Sequence, residues 1–464
     1  MAKKKEAPVN PFVPVEEQPY PIPENWCWIT IGTIASVKGG KRVPKGKQLV
    51  EYKTEHPYIR VIDFDNHSIA TEQVKYVDEE TFKLICNYTI SIQDIYISIA
   101  GTIGKVGIIP EELDGSNLTE NAAKITNIMC VKREYLLWLL ESEIAQSQMR
   151  DSTISTTQPK LALFRIENIK FPLCPLIEQC RIVSCIENLF AKLDAAKEKA
   201  QAVVDGFELR KSAILHKAFT GELTERWRKE HGVGLDSWAK VELIDILTEK
   251  PRNGYSPKPV NYITAYKSMT LSATTSGVFK DEYFKYIDET IPEDSYLWLK
   301  PGDILIQRAN SLDKVGTSAI YTGREHEFIY PDLMMKLQVV KTVSPQFVAY
   351  SLKKDDTLAY FRANATGTAG NMPKINQKIV SSTPINLPTF DEQIEIVRIL
   401  ESLFAKMQQA KETAEAVLAQ IDTMKKAILA RAFRGELGTN DPNEESSAKL
   451  VSDIESRRDT WGKS

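Results

Sequence analysis

The chain has 464 residues, of which 42% are apolar and 26% charged, the ordinary composition of a soluble protein with about three domains. Its net charge of −3 provides no general basic field, so any binding of nucleic acid must come from local clusters of cations. No apolar stretch is long enough to span a membrane, and the start MAKKKEAPVN lacks the apolar core of a signal peptide. Six scattered cysteines and five dispersed histidines argue for reduced thiols and against a metal site. We therefore expect a cytoplasmic protein.

Taken in chain order, the sequence predicts alternating globular and helical segments. Their expected boundaries are a Pro-rich arm over 1–24, extended and unpacked, a mixed α/β domain over 25–175, a long helix over 176–223, a polar connector over 224–237, a second mixed α/β domain over 238–389, a second long helix over 390–437 and a polar tail over 438–464. The predicted fold class is α/β plus a long α-helical coiled coil. Two mixed α/β domains would be separated by two antiparallel helices in a pseudo-two-fold repeat.

The two long helices are copies of each other. Residues 178–223 and 392–437 align without a gap, and 24 of the 46 paired positions are identical, which excludes chance. In both copies apolar residues recur with steps of four and three, which is typical of a coiled-coil seam. An amphipathic helix on a globular core is the alternative. The seam positions are 182, 186, 189, 193, 196, 200, 203 and 207 in the first copy and 396, 400, 403, 407, 410, 414, 417, 421, 424 and 428 in the second.

The two globular segments are interpreted as diverged copies of each other. Four short strings recur in the same order with changed spacing: Trp26 with Trp238, Asp94-Ile95 with Asp303-Ile304, 105–107 with 314–316, and 158–161 with 372–375. The chain is thus predicted to act through two similar halves on a partner of matching symmetry.

Several strings resemble the specificity subunit of Type I restriction-modification enzymes. They are YPIPENWCW, DIYISIAGTIGKVG, AFTGELTERWR, PINLPTFDEQIEIVRILESLFAKM and KKAILARAFRGEL. The resemblance covers nearly the whole chain. It implies two target recognition domains held apart by two antiparallel helices, each domain reading one half of an asymmetric bipartite site in double-stranded DNA.

The resemblance also implies partners. Two modification subunits would carry S-adenosylmethionine and methylate adenine, and two restriction subunits would use ATP with Mg²⁺, whereas this chain would hold no cofactor. A coiled-coil scaffold that binds protein is the alternative, and a self-contained DNA methyltransferase is a weaker one. Three candidate catalytic strings fail, because 10–12 lacks a second proline, 101–105 lacks the Ser/Thr of a phosphate loop, and Pro331-Asp332 is not followed by a second acid before Lys336.

Cations in two matching loops are the candidates for phosphate contacts. VKGGKRVPKGK has no acidic residue, and KPRNGYSPKP lies at the matching place of the second domain. A solvated basic loop is the alternative. The candidates are Lys38, Lys41, Arg42, Lys45 and Lys47 in the first loop and Lys250, Arg252 and Lys258 in the second. The candidates for reading bases, each with a surface or structural role as the alternative, are Arg60, Gln158, Lys160, Arg308, Asn310, Ser311, Asn371 and Lys374.

The outward faces of the two helices are the candidate partner-binding surface. Positions outside the seam recur in both copies, which suggests two equivalent partners. They are Phe190, Lys192, Lys197, Phe404, Lys406 and Lys411. The two phenylalanines have an alternative role, which is to widen the core.

Overall fold

The computed structural model describes residues 11–151, 159–367 and 372–461, with side chains described as far as residue 454. The chain forms two compact units. Unit 1 combines residues 1–199 with 417–464, and unit 2 comprises residues 200–416. Within the described part of the chain, no helix combines the length and the apolarity needed to cross a membrane.

The strands are short and lie in both units. Among the described residues they are β1 Cys27–Thr30, β2 Ser36–Gly39, β3 Pro57–Ile59, β4 Phe64–Asp65, β5 Ser68–Ile69, β6 Lys75–Tyr76, β7 Ile95–Ser98, β8 Val106–Gly107, β9 Asn117–Leu118, β10 Ala122–Thr126, β11 Lys170–Leu173, β12 Ala239–Glu242, β13 Arg252–Asn253, β14 Pro259–Val260, β15 Tyr266–Met269, β16 Phe284–Ile287, β17 Ile304–Gln307, β18 Ser318–Ile320, β19 Met334–Leu337 and β20 Pro384–Leu387.

Two of the helices are far longer than the others. The described helices are α1 Ile31–Ile34, α2 Glu79–Ile85, α3 Arg133–Glu141, α4 Glu143–Asp151, α5 Leu163–Glu167, α6 Leu176–Asp205, α7 Phe207–Phe219, α8 Glu225–His231, α9 Pro345–Ser351, α10 Asp355–Asn364, α11 Gln377–Ser381, α12 Phe390–Ala432 and α13 Ser447–Trp461. The second repeat copy is one helix of 43 residues, whereas the first is divided between α6 and α7 at Gly206. Glycine is a poor helix former because it loses the most backbone freedom on folding.

Each unit is built around an antiparallel four-stranded sheet. Its order is β2-β10-β7-β8 in unit 1 and β13-β19-β17-β18 in unit 2. A three-stranded sheet accompanies each, in the order β6-β3-β9 in unit 1 and β14-β16-β15 in unit 2. The strands β7 and β17 are buried along their whole length, since they lie inside the four-stranded sheets. The predicted mixed α/β character of both globular segments is confirmed.

The same hydrogen bonds join the first strand of each unit to the start of its repeat helix. The indole of Trp26 donates to Glu178 over 2.8 Å in unit 1, and the indole of Trp238 donates to Glu392 over 2.9 Å in unit 2. Both carboxylates are fully buried. Because Glu178 and Glu392 occupy one position of the gapless repeat, the two units are copies in structure as well as in sequence.

Each unit takes half of each helical copy. Unit 1 contains the start of the first copy and the end of the second, and unit 2 contains the remainder of both. In unit 1 Asp194 pairs with Lys425 over 2.6 Å, whereas Glu178 accepts a hydrogen bond from Thr439. The two segments of unit 1 therefore run antiparallel. The pairings of Phe207 with Lys411 and of Thr224 with Glu392 show the same direction in unit 2.

The predicted apolar seam agrees with burial in the first copy and not throughout the second. All eight predicted positions of the first copy are buried or half-buried. In the second copy the prediction is wrong at Ala410, Val417 and Met424, which are exposed. The half-buried positions there are instead one residue later, at Lys411, Leu418 and Lys425. The two lysines fit this interior because their aliphatic stems cover aromatic rings, with Nζ 4.7 Å from the ring centre of Phe207 and 5.0 Å from that of Phe190.

Both ends of the chain pack onto unit 1, contrary to the expected unpacked arm. In the described part of the arm, Val13 is buried and its amide donates to the carbonyl of Trp28 over 2.9 Å. Residues 1–10 lie outside the described residues. The tail forms α13, whose Val451 and Ile454 are buried, and the hydroxyl of Ser447 donates to the carbonyl of Leu173 over 2.8 Å. A few apolar side chains in a polar segment are therefore sufficient to fix it.

Three of the four matched strings are structural equivalents, and one is misaligned. Asp94 and Asp303 both begin the central buried strand, and both pair with a lysine of the neighbouring strand, Lys124 and Lys336. The match of 105–107 with 314–316 is wrong by three residues. Gly104 donates to the carbonyl of Ser98 as Gly316 does to that of Gln307, so these two glycines are equivalent. The loop of unit 2 is longer, and a gapless match across it fails.

Candidate nucleic-acid interface

The first basic loop leaves β2 and lies against the segment that precedes β10. The amide of Gly40 donates to the carbonyl of Ala122 over 3.0 Å, and the amide of Lys41 donates to that of Leu118 over 2.8 Å. A Cβ at Gly40 would lie 2.1 Å from the carbonyl oxygen of Thr119, so only glycine allows this approach. The loop is thus held by its backbone, and its side chains are left to interact with other groups.

Glu120 joins the basic loop to a second predicted site. The guanidinium of Arg42 contacts the Glu120 carboxylate over 2.5 Å, and Nζ of Lys160 donates to the Glu120 carbonyl over 3.4 Å. Arg42 and Lys160 are far apart in sequence, and the structure brings them together at this residue. Burial is the largest single influence on the pKa of Glu120 and raises it, but the hydrogen bonds from Arg42, from a backbone amide and from Thr119, together with the charge of Arg42, outweigh burial and hold that pKa below its usual value.

The other cations of the first loop differ in how freely they meet solvent. Lys38, Lys41 and Lys45 are exposed, and Nζ of Lys41 lies 5.4 Å from the ring centre of Tyr88. Lys47 is half-buried and pairs with Glu80 over 2.6 Å. Three exposed cations, one of them beside an aromatic ring, suit contacts with phosphates and with a nucleobase.

Unit 2 repeats this geometry with other side chains. The amide of Gly254 donates to the carbonyl of Met334, and that of Tyr255 to the carbonyl of Tyr330. A Cβ at Gly254 would lie 2.2 Å from the Tyr330 oxygen. Two residues after this glycine, the hydroxyl of Ser256 donates to the carboxylate of Asp332, in the position that Arg42 has relative to Glu120. The second loop therefore lies on the same face of its sheet as the first.

One cation of unit 2 contacts Asp332, and another lies on the neighbouring segment. Arg308 donates from Nη1 to the Asp332 carbonyl over 3.2 Å, as Lys160 does to that of Glu120. Lys374 forms a backbone bridge with Ala309, the neighbour of Arg308, and its side chain is exposed.

The remaining predicted residues of the second loop and its surroundings are exposed. They are Lys250 and Lys258, Ser311, and Arg252, which pairs with Glu249 over 2.5 Å and lies over the ring of Tyr296.

Two predicted base-reading residues have structural contacts instead. Arg60 makes two hydrogen bonds to the fully buried Asp63 and a third to the carbonyl of Gln73, so its guanidinium is committed to its own turn. The side-chain amide of Asn310 donates from Nδ2 to Oε1 of the buried Gln307, and its Oδ1 accepts from the backbone amide of Ser311. Only part of the hydrogen-bonding capacity of this side chain is therefore free. Gln158 and Asn371 lie outside the described residues.

Sequence reasoning missed the acidic and aromatic members of this face. They are Tyr88 and Glu120 in unit 1 and Tyr255 and Asp332 in unit 2. A search restricted to cations does not find them. The available signal was positional, because Glu120 and Asp332 each stand four residues before the lysine that pairs with the central aspartate, Lys124 or Lys336.

The predicted partner-binding residues do not form one outward face. Phe190 is buried, and its ring centre lies 5.1 Å from that of Trp138. Phe404 is half-buried with its ring 5.8 Å from Tyr350, so the expectation that both face outward is wrong. Lys411 is half-buried over Phe207, whereas Lys192, Lys197 and Lys406 are exposed. Aromatic rings at these positions widen the core of each unit, which was the alternative.

Over the ranges that the structure describes, no group of three or more His, Cys, Asp or Glu side chains is placed to hold a metal ion. The Glu120 carboxylate contacts Arg42 and the Thr119 hydroxyl, and the Asp332 carboxylate contacts the Ser256 hydroxyl. The face can donate hydrogen bonds to phosphate oxygens and base edges, and it can accept them at two carboxylates.

Comparisons with known proteins agree with this duplicated arrangement. The family model described as "Type I restriction modification DNA specificity domain" matches twice, at residues 23–204 and 236–418. The Type I restriction enzyme EcoKI specificity subunit of Escherichia coli (strain K12) is 26% identical, with 95% of this chain and 97% of that protein covered. The StySPI specificity subunit of Salmonella potsdam is 23% identical, with 90% of each covered. The solved HsdS subunit from Thermoanaerobacter tengcongensis has the same fold, with a TM-score of 0.63 at 19% identity over 91% of this chain and 100% of that one.

Proposed function

Since this chain belongs to the family of Type I restriction-modification DNA specificity subunits, we propose that each of its two units reads one half of an asymmetric bipartite DNA site. Members of this family are the non-catalytic recognition subunits of type I restriction systems, and they work with DNA and with modification and restriction subunits. In this proposal S-adenosylmethionine, ATP and Mg²⁺ are held by those partner subunits, and this chain holds no cofactor.

One observation carries the proposal of two half-sites. A glycine pressed against a carbonyl, a loop that follows it, an acidic residue and a cation on that acid's carbonyl recur in both units. The side chains differ at most of these positions. A shared backbone that presents different side chains is what reading two different short sequences requires.

The long helices are proposed to set the length of the unread spacer. A helix rises about 1.5 Å per residue, so the 43 residues of α12 extend over roughly 65 Å, and domains separated by part of that length would contact sites about one to two turns of B-DNA apart. The seam of small and apolar residues would keep the two antiparallel segments of each unit together.

Two modification subunits are proposed to bind at the starts of the repeat helices. Leu176 and Phe390 occupy the same repeat position, and both are exposed, at 39% and 45%. One turn later Cys180 and Ile394 are also equivalent and exposed. Exposed apolar side chains at matching positions of two copies fit two copies of one partner. Since Phe190 and Phe404 do not face outward, the proposed partner-binding surface consists of these exposed apolar side chains and of the exposed Lys192, Lys197 and Lys406.

Salt-dependent DNA binding tests the proposal. Replacing Lys38, Lys41 and Lys45 with alanine removes three exposed cations, each of which contributes roughly 0.9 to the slope of log affinity against log salt. The complex with modification subunits should bind its own site and unrelated duplexes more weakly by similar factors, with a slope lower by up to about 2.7. Arg42 is left in place because its charge is already paired with Glu120.

The control replaces three cations that lie in local ion pairs on α8 and α13, namely Arg226, Lys229 and Lys449. This variant should keep the wild-type slope. A complex that binds protein partners but no duplex at low salt would favour the scaffold and reject the proposal.

A further inference from the structure

The two acidic residues of the DNA-binding face are unusual for that surface. A carboxylate repels phosphates, so cations normally line a surface that approaches DNA. Glu120 and Asp332 nevertheless stand at the same place in both units. The residue after each, Asn121 or Leu333, accepts hydrogen bonds from two successive amides of the facing segment, at 99–100 in unit 1 and 308–309 in unit 2.

The pair is equivalent in surroundings as well as in position. Each acid is bound by the side chain two residues after the glycine of its basic loop, Arg42 in unit 1 and Ser256 in unit 2. Each also has a cation on its carbonyl oxygen. The acid is therefore a built part of this face, and the Pro331-Asp332 string that fails as a nuclease motif has a place in it.

The two acids differ in what they present to solvent. The Glu120 carboxylate is occupied by Arg42 and by the hydroxyl of Thr119, and the outermost group is the Arg42 guanidinium, which is 79% exposed. Asp332 is exposed, and its bound oxygen Oδ1 receives only the Ser256 hydroxyl. Unit 1 thus presents a donor at this place, and unit 2 presents an acceptor.

We propose that Asp332 selects one base of the half-site read by unit 2 by accepting a hydrogen bond from the amino group of cytosine in the major groove. The base-edge donors in that groove are the amino groups of cytosine and adenine; adenine presents its N7 acceptor beside the amino group, which repels a carboxylate, so an aspartate accepts from N4 of cytosine. Guanine and thymine present O6 and O4 acceptors there, which an acceptor repels. The counterpart in unit 1 is Glu120, a positioning residue. It orients the Arg42 guanidinium so that this group donates hydrogen bonds to a guanine. This inference rests on the proposed function and names the chemistry of its bases.

The test measures base preference at every position of the site. The full chain, assembled with its modification subunits, is titrated with a duplex that carries the sequence the complex methylates. It is also titrated with duplexes in which one base pair of that sequence is changed at a time. Asp332→Ala removes both acceptor oxygens and should lose roughly 5- to 150-fold of discrimination at one cytosine of one half-site and leave the other half-site unchanged. Glu120→Gln should relax the preference for one guanine in the opposite half-site.

Two further variants separate reading from folding. Ser256→Ala removes the hydroxyl that orients Asp332 and should weaken the same preference without affecting other positions. Glu325→Gln changes an exposed acid of unit 2 that pairs with Lys300 over 2.9 Å, and it should keep every preference. If the wild-type complex reads a bipartite site and Asp332→Ala retains all its preferences, Asp332 is not a reader. If the wild-type complex binds no duplex, the proposed function itself is wrong.

Discussion

Arg228 lies in the buried junction that joins the connector to the second repeat helix. Its guanidinium contacts Glu392 over 2.7 Å, and the two side chains are 9% and 0% exposed. Glu392 also accepts from Thr224 over 2.7 Å and from Trp238 over 2.9 Å. Three donors thus hold one carboxylate that has no contact with water, and only one of them carries a charge.

Replacing Arg228 with methionine should destabilise unit 2 by about 3 to 5 kcal/mol, because it leaves a buried negative charge without its cation. The variant also loses the hydrogen bond from Arg228 to the carbonyl of Gly221. The neighbouring Arg226→Met is the matched control. Its ion pair with Glu230 has side chains 92% and 56% exposed, and such pairs contribute less than about 1 kcal/mol.

The assay is urea unfolding of the full chain, with hydrogen exchange to assign the loss to residues 200–416. Adding Glu392→Gln to Arg228→Met removes the isolated charge and should recover part of the lost stability, since the amide oxygen can accept from the Trp238 indole and the amide nitrogen can donate to the Thr224 hydroxyl, which Arg228 no longer occupies. A loss below about 1 kcal/mol for Arg228→Met, or no recovery in the double variant, would refute the assignment of the cost to the buried carboxylate.

Three other outcomes are expected. Gly40→Ala should weaken DNA binding and lower the free energy of unfolding by about 1 to 3 kcal/mol, because the added Cβ would lie 2.1 and 2.3 Å from backbone oxygens. Gly39→Ala, whose Cβ would have its nearest neighbour at 3.6 Å, should behave as wild type in both duplex titration and unfolding. Burial lowers the pKa of Lys353 to about 8. Between about pH 8 and the usual 10.5 the unfolded chain therefore binds more protons than the folded chain, and the free energy of unfolding rises with pH across that window. Lys353→Met should abolish this rise in unfolding experiments and add on the order of 2 kcal/mol of stability at pH 7. The chain passes between the units after Lys199 and after Ala416, and inserting four residues at both places adds about 6 Å of helical rise. Methylome sequencing should then show an unread spacer longer by about one or two base pairs. Retained activity with an unchanged spacer would contradict the proposal that the helices set the spacer length.

Part of the candidate site was accessible from the sequence. Local composition identified both basic loops and the segments ending at Lys160 and Lys374, because glycines beside clustered cations are visible without any knowledge of packing. It also included Arg60, which the structure commits to Asp63. Whether a cation is free depends on which acid lies beside it in space, and that acid is frequently distant in the sequence.

The sequence by itself determined the repeat, the two mixed domains and the family, since identity at a constant offset and ordered strings do not depend on where side chains point. The tertiary structure decided how the copies are used. Each unit combines the start of one helix with the end of the other, so Phe190 and Phe404 pack into the units and do not face outward. The exposed seam positions 410, 417 and 424 have the same origin, because the partner segment decides which side of an almost uniformly apolar stripe is covered. The equivalence of Glu120 and Asp332 likewise appears only when the carbonyls around them are paired across the sheet.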